Sequence, residues 1–123
     1  MTGVEIPRGR FPGQCLPLHG RRVVLGVSGS IAAVKSYEIA RRFEELGATV
    51  DVLLTPDATR FASEFTFQNL IHGSVVSDMW TTSGGPEIHV GLARAGDVFV
   101  VAPATATTIA KLALGIADNI VTL

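Results

Sequence analysis

Three times along this chain a short apolar run is followed by small or polar turn residues and then by residues at helical spacing. The runs are Arg22–Val27, Thr49–Leu54 and Val98–Ala102. The first is short, apolar and rich in β-branched residues, which marks a buried strand; the second reads as a strand and the third as a strongly apolar one. Strands that alternate with helices pair in parallel, because parallel neighbours need a crossover between them. The chain is therefore expected to form an α/β fold around a parallel sheet. In such sheets ligands sit beyond the carboxyl ends of the strands. The junctions at Gly29–Ala32, Thr55–Asp57 and Pro103–Thr108 are predicted to share that edge.

The helix after the first strand is expected to end at Leu46-Gly47, with Ala32, Ile39, Ala40, Phe43 and Leu46 forming its apolar stripe. Glu38–Arg42 and Arg41–Glu45 are i,i+4 pairs for its wet face, and Gly47 suits a left-handed C′ position. Thr55 and Pro56 read as N-cap and N1 of a second helix over 57–72, interrupted near Ser63–Phe65. Phe61, Phe65 and Phe67 are assigned to the core. Ser74–Ser77 is expected to be a short strand, Ile88–Ala95 a helix, and Thr105–Leu114 a helix stopped at Gly115. Residues 1–20 are rich in Gly and Pro and lack periodicity, so they are read as an extension preceding a domain over 21–123.

Composition narrows the function classes. The 123 residues carry 10 Lys+Arg against 11 Asp+Glu, a net charge of −1, and 47% are hydrophobic. That balance supports a packed core and offers no electrostatic reason to expect nucleic acid or membrane as a partner. The single cysteine, Cys15, excludes an intrachain disulfide and a cysteine-based metal site, so no metal is expected and a reducing cytoplasm fits.

The first junction reads Gly26-Val27-Ser28-Gly29-Ser30-Ile31-Ala32-Ala33. Small residues at a strand-to-helix turn let backbone N–H groups approach an anion at the helix N-terminus. The spacing Gly26-x-x-Gly29-x-x-Ala32 departs from the dinucleotide fingerprint, and the second strand ends on Thr55 rather than a ribose-binding carboxylate. The Walker pattern is absent. A mononucleotide with one terminal phosphate fits better, with hydroxyls of Ser28, Ser30 and Thr55 joining backbone amides and Thr105, Thr107 and Thr108 lining another side. A second reading leaves these residues as helix caps and nothing more.

Four segments in order resemble the homo-oligomeric flavin-containing cysteine decarboxylases. They are Gly26–Lys35 (GVSGSIAAVK), Thr55–Phe61 (TPDATRF), Ile88-His89-Val90, and Pro103–Thr108 (PATATT) with the following Ile109–Asn119 (IAKLALGIADN). The resemblance implies a flavodoxin-like, Rossmann-like three-layer sandwich, shortened at the C-terminus to about the first two thirds of the family's domain. It implies FMN as cofactor, bound at a subunit interface of a homo-oligomer, a trimer or a dodecamer of trimers. By resemblance, Gly29, Ser30, Ile31 and Ala32 contact FMN at the first loop. Thr55, Pro56 and Asp57 contact it at the second, and Thr105, Ala106, Thr107 and Thr108 at the third. Thr107 stands where the family usually has asparagine, which replaces an amide by a single shorter hydroxyl.

The resemblance is strongest to the branch acting on phosphopantothenoylcysteine in coenzyme A biosynthesis. A peptidyl-cysteine decarboxylase, a flavin prenyltransferase and a non-catalytic flavin-binding subunit are the alternatives. It also implies His89 as the catalytic proton carrier, a role that suits imidazole because its reference pKa, about 6.5, lies near working pH. The family's proline-x-methionine-asparagine motif and flap cysteine fall past Leu123. The chain by itself is therefore expected to be inactive or to stop at the oxidised intermediate.

Overall fold

The computed structural model describes residues 16–78, 91 and 95–123. Its core is a four-stranded, wholly parallel sheet. The strands are β1 (Arg22–Val27), β2 (Thr49–Leu54), β3 (Val75–Val76) and β4 (Val98–Val101), in the spatial order β3-β2-β1-β4. The register pairs Arg22 with Thr49 and Val27 with Leu54 on one side of β1, and Val23 with Val98 on the other. The order places the first strand inside the sheet and reverses direction there, which opens a crevice at the carboxyl edge.

Successive side chains of a strand face opposite sides of a sheet, and both sides are buried here. Val23, Leu25 and Val27 with Val50, Val52 and Leu54 pack against Ala33, Ala40, Phe67 and Ile71. Val24 and Leu53 face the other way, onto Val76, Ile120 and Val121. Full burial of a leucine such as Leu25 or Leu54 contributes roughly 1.5–3 kcal/mol. This two-sided burial is why β1 and β2 read as unbroken apolar runs rather than as alternating ones; β4 departs from that pattern, with Val98 and Phe99 exposed.

Helix α1 (Lys35–Glu45) follows a 3-10 turn over Ile31–Val34, whose N-cap Ser30 accepts a hydrogen bond from Ala32 N. Its wet face carries the expected pairs, Arg42 Nε to Glu38 at 3.1 Å and Arg41 Nη1 to Glu45 at 2.6 Å. Ala40 is buried, and Ile39 and Phe43 pack on the core. Ala32 departs from the expected stripe: it is exposed, and Ala33 and Ser36 are the buried residues of this stretch. The 3-10 turn shifts the angular phase of its residues relative to the helix that follows. Gly47 ends the helix at φ +100°, and a Cβ there would lie 2.9 Å from Leu16 Cβ. Leu18 N donates to Leu46 O at 2.8 Å, and the Leu18 side chain packs on the core.

The expected helix over 57–72 is two pieces, a 3-10 turn (Ala58–Arg60) and α2 (Glu64–Gln68), with Ser63 as N-cap of the second. Thr55 and Pro56 therefore precede a tight turn rather than opening a long helix, although Thr55 Oγ1 does accept from Ala58 N at 3.1 Å. Among the three phenylalanines only Phe67 is core, with its ring 4.6 Å from that of Tyr37. Phe61 and Phe65 are exposed, a correction to the expectation, because the break at 61–63 turns them outward. The last helix, α3 (Ala106–Leu114), has Thr105 as N-cap and left-handed Gly115 at its end.

Candidate functional site

The three loops that leave β1, β2 and β4 meet at the carboxyl edge and are stitched to one another. Thr55 N donates to Val27 O at 3.0 Å, and Ser28 N donates to Pro103 O at 3.2 Å. Ser28, fully buried, also donates its hydroxyl to Pro103 O and accepts from Thr105 N at 2.8 Å. Ser36, buried under the same turn, donates to Ala102 O at 2.8 Å. The two serines thus hold the β4–α3 turn from below. Ser28 is expected from the sequence to offer its hydroxyl to a phosphate; its one O–H is instead donated to Pro103 O of the neighbouring loop.

Gly29 is the point where the first and second loops touch. A Cβ there would lie 2.4 Å from Asp57 Cβ and 2.7 Å from its carbonyl carbon. Such distances leave no room for any side chain, so the bare α-carbon serves loop-to-loop contact directly.

Between the loops lies a cleft of about 290 Å³, lined by Gly29, Thr55, Pro56, Asp57, Thr105, Thr107, Thr108, Lys111, Asp118 and Asn119. Seven of these were candidates from sequence. Ser30, Ile31, Ala32 and Ala106 do not line the cleft, and Ile31 is 75% exposed. His89 lies outside the described residues, as do Cys15 and most of the expected Ile88–Ala95 helix.

The lining is built from short hydroxyls and from the end of a helix. The first amides of a helix have no partner within it. Thr105 Oγ1 accepts from Thr108 N at 3.2 Å and bonds Thr108 Oγ1 at 3.1 Å. The amides of Ala106 and Thr107 are thereby left at the positive end of α3, and Thr107 lines the cleft.

Lys111, Asp118 and Asn119 were not foreseen as lining. Lys111 Nζ sits 3.0 Å from both Asp118 carboxylate oxygens. Asn119 Oδ1 accepts from Val121 N and Thr122 N, each at 3.0 Å, forming an Asx-type turn that Asp118-Asn119 could have signalled. Gly115, at φ +73°, turns the chain so that this segment returns beneath α3.

The Flavoprotein family profile matches residues 16–123. The chain belongs to the Flavoprotein family. It is 42% identical over 103 residues to a probable phosphopantothenoylcysteine decarboxylase of Streptococcus mutans, covering 83% of this chain and 58% of that protein. It is 42% identical over 106 residues to the coenzyme A biosynthesis bifunctional protein CoaBC of Bacillus subtilis, covering 85% of this chain and 26% of that one. The chain thus spans a little over half, or about a quarter, of these relatives. Among solved structures it resembles the FMN-dependent cysteine decarboxylase TvaF from thioviridamide biosynthesis, with TM-score 0.79 and 38% identity over 84% of this chain and 64% of that one. It also resembles a PPC decarboxylase mutant complexed with pantothenoylaminoethenethiol, with TM-score 0.69 and 33% identity over 83% and 57%. The sheet and helices are those of the flavodoxin-like fold shared by these neighbours. No helix among the described residues is long and apolar enough to cross a membrane.

Proposed function

We propose that this Flavoprotein-family chain forms the FMN-binding part of a phosphopantothenoylcysteine decarboxylase, which converts its substrate to 4′-phosphopantetheine. The observation that carries the reading is the single cleft made by three separate crossover loops at the carboxyl edge, in a chain 42% identical to a relative named for that activity.

The cleft residues fit the phosphate-bearing end of FMN. Its volume, about 290 Å³, lies at the low end of ligand sites, which run to roughly 1,000 Å³. That suits the ribityl phosphate and leaves the flavin ring to a neighbouring surface, as in a homo-oligomer. The Thr107 amide meets the phosphate at the α3 N-terminus. Thr55 and Thr105 direct their hydroxyls into local caps and so shape the walls. The bound flavin supplies reversible two-electron oxidation of the substrate's cysteine moiety. His89, placed by its motif, moves the protons.

A related reading is favoured by one comparison. The likeness to the FMN-dependent cysteine decarboxylase TvaF, at 38% identity and TM-score 0.79, supports the alternative of a peptidyl-cysteine decarboxylase, whose substrate is a cysteine-bearing peptide. Turnover assays with phosphopantothenoylcysteine and with such a peptide, on the FMN-loaded protein, separate the two. Carbon dioxide release from the pantothenoyl substrate alone is the expected result. A preparation that takes up no FMN by calorimetry refutes both. A His89→Asn variant is expected to keep FMN and lose turnover.

A further inference from the structure

The cleft lining carries more carboxylate than cation, so a phosphate there needs a counter-charge. Asp57 and Asp118 bring two carboxylates to the lining, and Lys111 brings the one cationic side chain among its described residues. A phosphate terminus adds roughly 1.5–2 further negative charges at neutral pH. In the structure Lys111 is neutralised by Asp118, with Nζ 3.0 Å from both oxygens.

The two members of this pair are held very differently. Asp118 accepts from Asn119 Nδ2 at 3.2 Å, and Asn119 is itself fixed by the Val121 and Thr122 amides. The Lys111 ammonium has no other hydrogen bond among the described residues, and it ends a flexible four-carbon stem. It stands one helical turn from Thr107 and Thr108, on the same face of α3. A helical side chain leans toward the N-terminus of its helix, and four residues of helix rise about 6 Å. An anion at the α3 N-terminus is within the sweep of that stem.

We propose that Lys111 is an exchangeable counter-ion for the anionic end of the ligand. It pairs with Asp118 in the structure and transfers to the incoming phosphate or carboxylate. Asp118 is a positioning residue that keeps the ammonium at the wall and sets the cost of release. The inference rests on the flavin reading above and adds a residue to it.

The anion can belong to the flavin's phosphate or to the substrate, and the test separates them. FMN and riboflavin, which lacks the phosphate, are titrated against wild type, Lys111→Gln, Lys111→Arg, Asp118→Asn and the Lys111→Gln/Asp118→Asn double variant. If the flavin phosphate is the partner, Lys111→Gln weakens FMN about tenfold and leaves riboflavin unchanged, and Lys111→Arg restores most of the loss. Asp118→Asn tightens FMN several-fold, and that gain shrinks in the double variant. If the substrate is the partner, both flavins bind Lys111→Gln normally, and phosphopantothenoylcysteine binds the FMN-loaded variant about tenfold more weakly. Lys111→Gln binding all three as wild type does overturns the inference while the flavin reading stands. Equal losses for FMN and riboflavin also overturn it, since they indicate a purely structural ion pair. Wild type that binds neither flavin overturns the flavin reading and this inference with it.

Discussion

Ser28→Ala is the sharpest probe of how this cleft is assembled. The substitution removes one oxygen atom from a fully buried side chain and leaves the packing otherwise intact. Two hydrogen bonds go with it. The Pro103 carbonyl keeps a donor, because Ser28 N still reaches it at 3.2 Å. The Thr105 amide does not fare as well: its 2.8 Å bond to Ser28 Oγ is lost. Thr105 is half-buried and lines the cleft, so its amide is only partly shielded from water, and about 1–2 kcal/mol is expected for the two lost bonds together. For a domain of this size that lowers Tm by roughly 6 °C. Thr105 caps α3, so displacing its backbone also moves the Ala106 and Thr107 amides; FMN affinity is expected to fall about tenfold. Urea unfolding gives the stability change, and flavin fluorescence quenching well below the unfolding midpoint gives the affinity. A variant within about 0.5 kcal/mol of wild type and with unaltered FMN affinity refutes the idea that this hydroxyl holds the third loop.

Gly29→Ala is expected to force the first two loops apart at Asp57, costing about 1–3 kcal/mol and lowering FMN affinity tenfold or more, read by the same two titrations. Asp51, fully buried, accepts from Arg22 Nη2 and Ser74 N, each at 2.8 Å. Asp51→Asn turns an amide toward the guanidinium and is expected to cost about 3 kcal/mol in urea unfolding, the low end for a broken buried pair because the Arg22 side chain keeps 35% exposure. His72 Nδ1 lies 2.7 Å from Glu44, and that hydrogen bond holds its pKa above the ordinary 6.5. The contact's stabilisation is therefore complete below pH 6.5, while Glu44 is ionised, and disappears as pH rises through the raised value. The urea midpoint is expected to fall over that range in wild type and to stay flat, from this source, in His72→Gln.

Much of the fold was legible because its signals are local. Runs of β-branched residues mark β1, β2 and β4, and the alternation with helices dictates parallel pairing whatever the partners are. Thr105 and Gly115 cap α3 through bonds to residues a few positions away. The convergence of the Gly29, Thr55 and Thr105 loops followed from topology alone, since every parallel strand delivers its outgoing loop to the same edge.

Other features depended on residues far apart in the chain, where composition carries no record of distance. Ser28 looks like any small turn residue until Pro103 and Thr105 are seen against it. Gly29 is bare because Asp57 approaches it from another loop. Lys111 and Asp118 meet because left-handed Gly115 reverses the chain between them. Ala32 and Phe61 were misplaced for the complementary reason: short 3-10 turns near both rotate the face presented to the core, and periodicity counted along an ideal helix does not register them. Periodicity and capping thus set the scaffold from sequence. The identity of the groups facing the cleft was decided by contacts that only the folded chain creates.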